Sequence, residues 1–228
     1  MRKQRFKVFT VVVLIVLIPA RGLSFFSSEQ STGPAASLPE LKSNVSRKME
    51  KADTLRFKFN QETLMGGSTG TVSAEVYFRR PENLILKYTE PDVQEIYISS
   101  AAVYTYIPSI AQATSQKRKT GEIATIAGVT LSVIFGREPF KYLEENFKLE
   151  AYELGDFIKL DGYPKSQATY EKISIYFSKT DYYPVITTVS AQNFKSVTTF
   201  SNYRKNREFK KDFFKFNPGS EVNLIKID

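Results

Sequence analysis

From Leu55 almost to its end, the chain repeats one pattern, in which apolar side chains occupy every second position of short segments. Such alternation predicts β-strands with one buried face, because successive side chains of a strand point to opposite faces. Turn and breaker residues separate the segments, among them Gly66-Gly67-Ser68, Pro81, Pro91 and Pro108. About ten consecutive strands are predicted, and the short turns between them favour antiparallel neighbours.

Apolar residues recur at helical spacing in only two regions of the sequence, before the first predicted strand and midway along the series of strands. Ser37 followed by Glu40 forms a capping box that predicts a helix over 38–52. A second helix is predicted over 122–135, and a third, shorter one over 139–147. Since so few helices cannot cover two faces, we expect a mainly β fold: one strongly curved antiparallel sheet with helices on its concave side.

The second half of the chain alternates without interruption after the third predicted helix. Two short hairpin turns are predicted there, a two-residue turn at Asp161-Gly162 and a three-residue turn at 179–181. The strands expected in this half are 147–154, 156–161, 170–178, 184–192, 195–204 and 211–217.

The first 22 residues have the pattern of a secretory signal. A basic start is followed by an apolar run over 8–20 and by small residues around Gly22. Residues 1–22 carry five basic residues and no acidic ones, so removing them lowers the net charge from +8 to +3. We expect cleavage to leave a flexible lead-in over 23–37 and a single domain over 38–228; an uncleaved anchor is the alternative.

Composition excludes several kinds of chemistry. The chain has no His and no Cys, which excludes a Ser-His-Asp triad, thiol chemistry, disulfides and metal sites built on imidazole or thiolate. No glycine-rich phosphate loop is present, and the charged run 116–119 is interpreted as a solvated loop, so nucleic acid is not an expected partner. A hydrolase with paired carboxylates remains open, although no pair of acids indicates one, and no cofactor is expected.

One residue conflicts with the strand pattern. In the segment from Val72 to Pro81, Val72, Val76 and Phe78 share one face, and Arg80 is next in that register. An unpaired buried guanidinium costs several kcal/mol, so its donors need acceptors. Arg80 therefore either bonds to carbonyls at the ends of covering helices, joining sheet to helices, or lies at the end of the strand and reaches water. Arg79 points the other way, toward solvent.

Four motifs in order, with a fifth near the end, resemble the outer-membrane lipoprotein carrier proteins of the LolA type. They are Leu55–Gln61, Gly70–Pro81, Leu84–Pro91, Tyr106–Thr114 and, more weakly, Phe214–Gly219. The resemblance implies an unclosed β-barrel with an α-helical lid over a hydrophobic cavity for the acyl chains of lipoproteins. The residues expected to line this cavity are Leu55, Phe57, Phe59, Val72, Val76, Phe78, Leu84, Leu86, Tyr88, Ile96, Ile98, Ile123, Ile126, Leu131 and Ile134.

The resemblance also implies a role for Arg80, as the latch that bonds to the lid helices and holds the empty form closed. It implies a periplasmic monomer whose cargo is acylated lipoprotein. Its expected partners are an inner-membrane ABC-type release complex and an outer-membrane acceptor.

Two other interpretations remain open from the sequence. One is a periplasmic lipid- or lipoprotein-binding sensor on the same fold, because a fold does not determine a function. The other is an interaction protein whose apolar face is an ordinary filled core.

Overall fold

The computed structural model describes residues 33–118, 140–168 and 170–227. Two α-helices lie in these ranges, α1 over Leu38–Glu50 and α2 over Lys141–Asn146. The strands are β1 Thr54–Met65, β2 Ser68–Arg79, β3 Asn83–Glu90, β4 Gln94–Ile98, β5 Ala102–Ile107, β6 Gln112–Lys117, β7 Phe147–Leu154, β8 Phe157–Pro164, β9 Lys172–Ser178, β10 Pro184–Ala191, β11 Phe194–Lys205 and β12 Asn223–Ile227.

All twelve strands belong to one curved sheet in the order β12-β6-β5-β4-β3-β2-β1-β11-β10-β9-β8-β7. The two end strands, β12 and β7, are not paired with each other, so the sheet is unclosed. This confirms the predicted mainly β, unclosed architecture. The prediction of purely antiparallel pairing is wrong at one edge, where β12 runs parallel to β6.

The first helix forms where its sequence predicts it. The Ser37 hydroxyl accepts a hydrogen bond from the Glu40 backbone N–H at 3.4 Å, which caps the helix start. Leu41, Val45 and Met49 recur at a helical spacing and are buried against the sheet. The helix ends at Glu50, two residues before the predicted end. The predicted helix over 122–135 lies outside the described residues, as does the signal segment 1–22.

The turn chemistry is right at one hairpin and wrong at another. Gly66 and Gly67 both have positive φ and join β1 to β2 as predicted. Asp161-Gly162, predicted as a turn, lies inside β8 instead. The turn that joins β7 to β8 begins at Gly155, whose φ is +54°.

Asp161 tolerates a buried strand position because its carboxylate has partners there. Ser174 donates a hydrogen bond to it at 2.5 Å, Lys159 lies 3.3 Å away and Lys172 3.6 Å away. A buried charge is stable only when it is paired and hydrogen-bonded. Local turn propensity is therefore overridden by contacts that neighbouring strands supply.

The C-terminal segment, defined as residues 206–222, is not the strand predicted over 211–217. It crosses the face of the sheet opposite to the helices. Phe213 packs on Tyr77 with ring centroids 5.1 Å apart, and Phe216 stacks on Tyr104 at 4.9 Å. These aromatic contacts attach the segment to the convex face in place of the backbone hydrogen bonds of a strand. Strand β12 begins directly after the segment.

Two further expectations, the flexible lead-in and the solvated loop 116–119, differ from the structure. Pro34, Ala35 and Ala36 bond to the edge of β7, so this part of the predicted flexible lead-in is attached to the sheet. Residues 116 and 117 belong to β6 rather than to a solvated loop. Arg118 is buried and pairs with Glu82 at 3.1 Å, because both lie where strand ends meet.

Candidate functional site

The site of interest is the face of the sheet that α1 covers. Leu41, Val45 and Met49 from the helix belong to one hydrophobic cluster with buried side chains of β1, β2, β3 and β4. Burial of apolar area at about 25 cal/mol per Å² stabilises the contact between helix and sheet. The concave face is therefore apolar where the helix lies on it.

Every predicted lining residue among the described strands lies on this one face. Cross-strand register places Phe57 beside Val76, Val76 beside Leu86, and Leu86 beside Ile96. Since directly paired residues share a face, the row runs unbroken across four strands. The residues of this face are Leu55, Phe57, Phe59, Val72, Val76, Phe78, Leu84, Leu86, Tyr88, Ile96 and Ile98. Ile123, Ile126, Leu131 and Ile134 lie outside the described residues.

Burial along this face follows a gradient. Phe57 and Leu84 are 0% and 1% exposed, so the side chains there are enclosed. Val72, Tyr88 and Ile96 pack against the hydrophobic cluster but are only partly buried. Burial raises the pKa of the Tyr88 hydroxyl. Val72 and Tyr88 lie nearer the β1–β2 hairpin than this buried row does, and Ile96 lies at its β4 end.

Arg80 connects the sheet to the end of the helix. Its Nε donates a hydrogen bond to the Ala52 carbonyl at 3.0 Å, and its Nη2 donates one to the Met49 carbonyl. Its backbone N–H bonds to the Asp53 carbonyl at 2.9 Å, and its guanidinium lies 5.9 Å from the Phe78 ring centroid. Carbonyls at a helix C-terminus accept hydrogen bonds from outside the helix; the Met49 carbonyl accepts from the Ala52 backbone N–H at 3.1 Å as well as from the guanidinium.

Arg79 lies on the opposite face from this contact. Its guanidinium lies 4.6 Å from the Phe214 ring centroid, under the C-terminal segment, and its side chain is half-buried. The expectation that Arg79 is solvent-exposed is therefore wrong, because residues 206–222 cover its face. The two adjacent arginines thus contact different layers of the molecule, which alternation along a strand allows.

A second wall of the apolar face comes from strands for which the sequence analysis named no lining residues. Ile175 of β9 and Leu160 of β8 are paired and buried in the same cluster as α1, together with Phe177 and Phe200. Tyr203 lies parallel to Tyr183, and its hydroxyl donates to the Pro184 carbonyl at 2.7 Å. The signal that identifies them is present in the sequence, since these segments alternate as regularly as β1 to β4.

Among residues 33–118, 140–168 and 170–227 no cluster of three potential metal-ligating side chains occurs. In the same ranges no helix is both long and apolar enough to cross a bilayer. In the rows around Phe57, Val76 and Leu86, this face offers apolar surface with a guanidinium at its edge.

Comparison with known proteins relates the whole arrangement to one family. The outer membrane lipoprotein carrier protein LolA family matches residues 50–217. An outer-membrane lipoprotein carrier protein from Nitrosospira multiformis is 28% identical over 207 residues, which cover 88% of this chain and 94% of that protein.

One solved structure shares the fold at lower sequence identity, and another is similar at a lower TM-score. An uncharacterized conserved protein from Thermus thermophilus superposes with a TM-score of 0.56 at 12% identity, covering 84% of this chain and all of that one. A LolA superfamily protein from Nitrosomonas europaea gives a TM-score of 0.41 at 15% identity, covering 80% of this chain and 99% of that one.

Proposed function

The chain belongs to the outer membrane lipoprotein carrier protein LolA family, and on that premise we propose that it shuttles lipoproteins from the inner to the outer membrane. The acyl chains of the cargo are held against the apolar concave face described above. The family consists of carriers rather than enzymes, and lipoprotein binding is the part of this function that membership supports directly. The direction of transport and its partners are our inference.

The observation that carries the proposal is the continuous apolar row on the concave face, from Phe57 through Val76 and Leu86 to Ile96. Each methylene removed from water contributes about 0.8 kcal/mol, so lipoprotein acyl chains do not cross an aqueous space unaided. Apolar walls bind hydrocarbon without directional bonds. Such walls accept chains of varied shape, which a carrier of many lipoproteins requires.

A carrier also has to release its cargo, and we propose that Arg80 contributes to release. Its hydrogen bonds to Ala52 and Met49 stabilise the packed arrangement of α1 on the sheet. Cargo that displaces this packing loses part of its binding free energy to the contacts that it breaks. The free energy needed to open the closed state is therefore subtracted from the binding free energy of the cargo, and this lowers its net affinity.

The proposed setting is the periplasm, reached through removal of residues 1–22. The proposed partners are an inner-membrane ABC-type complex that loads the carrier and an outer-membrane acceptor that unloads it, with the carrier acting as a monomer. Graded affinity along this series gives transport its direction, since each acceptor must bind the cargo more tightly than its donor.

The test is native mass spectrometry of the exported protein, followed by a transfer assay. Co-purified acylated protein, passed on to outer-membrane vesicles, supports the carrier. Bound lipoprotein that is never passed on supports a sensor on the same fold. A protein that excludes both lipoprotein and hydrocarbon probes contradicts the proposal and indicates a filled core.

A further inference from the structure

A polar patch interrupts the apolar concave face, and it consists of Gln61, Thr63, Thr187, Ser196 and Thr198. Register brings these side chains together from three adjacent strands. Gln61 of β1 pairs with Thr198 of β11, and Thr198 pairs with Thr187 of β10. Thr63 pairs with Ser196 one step further along.

The patch faces the same side as the apolar core. Phe59, a core residue, precedes Gln61 by two positions, and its partner Phe200 follows Thr198 by two. Because residues two apart in a strand share a face, Gln61 and Thr198 point to the concave side. The bulge between Arg56 and Lys58 lies outside this stretch and leaves the alternation intact.

Most cross-strand and flanking neighbours of the patch are apolar, although Thr63 lies opposite Gly70 of β2. Phe59 and Phe200 lie before it, and Met65 and Phe194 lie beyond it. The flanking strands add Val72, opposite Gln61, and Ile175, opposite Thr187. A sheet face that only formed a hydrophobic core would be apolar at these five positions, and polar side chains placed there need hydrogen-bond partners.

The patch is partly shielded from water and internally hydrogen-bonded, with Gln61, Thr63 and Thr198 half-buried. Thr187 and Ser196 are each 5% exposed. Gln61 Nε2 donates to the Thr63 hydroxyl at 3.2 Å, and the Thr63 hydroxyl donates to Ser196 Oγ at 3.3 Å. No hydrogen bond joins the Thr198 hydroxyl to another described residue. This hydroxyl is half-buried, and without a partner in the described part of the chain its proton can be donated to a ligand.

The chemistry of the patch selects its ligand. It contains hydroxyls and one amide but no charged side chain, so it suits neutral acceptors rather than a phosphate, which would need Arg or Lys. Ester and amide carbonyls are such acceptors, and burying one without a hydrogen bond costs roughly 2 kcal/mol or more. Acyl chains in lipoproteins are attached through carbonyls of this kind.

We propose that this polar patch binds the ester or amide carbonyls where acyl chains join the cargo, while the surrounding apolar wall holds the chains. This inference rests on the proposed carrier function and adds a subsite to it. The Thr198 hydroxyl is the donor assigned to the carbonyl, and the bonds among Gln61, Thr63 and Ser196 orient that end of the patch. Methylenes can contact any part of the apolar wall, whereas the few carbonyls of the cargo can bond only at the patch. The patch therefore determines the position of the cargo along the concave face.

The test compares a synthetic lipopeptide bearing two ester-linked palmitoyl chains with its dialkyl ether analogue, which has equal chains but no ester carbonyl. Affinities are measured by displacement of a fluorescent fatty-acid probe from the full exported protein. Wild type should bind the ester form roughly three- to tenfold more tightly, the factor expected for one net hydrogen bond. Equal affinities for the two forms would overturn the subsite, and this measurement needs no variant.

Two neighbouring threonines give matched variants. Thr198→Val keeps the side-chain shape on the concave face and should abolish the preference for the ester form, leaving affinity for the ether form unchanged. Thr199→Val changes the adjacent, exposed residue on the convex face and should keep the preference. Equal weakening of both ligands by Thr198→Val contradicts the subsite. Failure of wild type to bind either ligand contradicts the carrier function itself.

Discussion

The Nε of Arg80 donates a hydrogen bond to the backbone carbonyl of Ala52 across 3.0 Å, joining the end of β2 to the residue that follows α1 by two positions. The Met49 carbonyl, inside the last turn of α1, accepts a second bond from the same guanidinium. One side chain therefore bonds both to a carbonyl in the last turn of α1 and to a carbonyl just beyond the helix, and the Met49 carbonyl also accepts from the Ala52 backbone N–H at 3.1 Å. The position of α1 on the sheet depends on apolar burial and on this contact together.

Replacing Arg80 with Leu should loosen that contact without removing the apolar face. We expect the free energy of unfolding to fall by about 1–3 kcal/mol, the range for lost hydrogen bonds to a charged group. Lipoprotein binding should persist or tighten, and transfer to outer-membrane vesicles should fail. Retention of cargo in a transfer assay is the measurement. Arg79→Leu is the control, because that guanidinium contacts Phe214 instead, and normal transfer by the Arg80 variant would refute the latch.

Phe214→Ala tests the attachment of the C-terminal segment to the convex face. Phe214 is 5% exposed and packs edge-on against Phe209 and Phe213. Truncating a buried Phe costs about 3–5 kcal/mol. Urea unfolding followed by circular dichroism measures this loss. Lys215→Ala, at the adjacent and exposed position, should change stability by less than about 0.5 kcal/mol.

Asp161→Asn tests whether the buried carboxylate stabilises the folded protein by pairing with neighbouring lysines. The substitution leaves Lys159, 5% exposed, without its anionic partner. Removing one member of a buried ion pair costs about 3–5 kcal/mol, because a charge remains buried without compensation. Asp156→Asn, in the exposed turn before β8, is the matched control and should leave the unfolding midpoint unchanged. Equal midpoints for the two variants would contradict the buried pair.

Stability should decline in alkali because several tyrosines resist ionisation in the folded state. Burial and the hydrogen bond to Glu75 raise the pKa of Tyr77 to about 12, and burial raises the pKa of Tyr88 and Tyr203. A raised folded pKa means that the unfolded chain releases protons first as pH rises above its ordinary value near 10. The free energy of unfolding should therefore be level below pH 10 and fall between pH 10 and 12.

Urea titrations at a series of pH values measure this decline. Tyr77→Phe removes one of the groups concerned and should make the decline shallower, even though it also loses the hydrogen bond to Glu75. A stability that stays constant up to pH 12 would contradict the burial of these hydroxyls.

Local sequence determined much of the fold because alternation and helical spacing are read along the chain. It identified α1 with its Ser37 cap, the hairpin at Gly66-Gly67, and most strands of the sheet. It also placed the predicted lining residues of β1 to β4 on one face, because a period of two assigns a face to each residue once a strand is recognised. The same alternation identified Arg80 as the one charged residue in line with Val72, Val76 and Phe78.

Tertiary structure alone decided which distant segments became neighbours. Asp161-Gly162 favours a turn locally, yet Lys159, Lys172 and Ser174 hold Asp161 inside a strand. Phe213 and Phe216 resemble strand residues, yet their contacts with tyrosines of other strands keep residues 206–222 out of the sheet.

The polar patch likewise exists only because β1 and β11 pair across more than a hundred residues, which brings Gln61 beside Thr198. The free energies that select such partners arise from contacts formed after the chain has folded back on itself. The sequence therefore determines on which face of a strand each residue lies, because alternation is a local property. Pairing between distant strands determines which residues become its neighbours on that face.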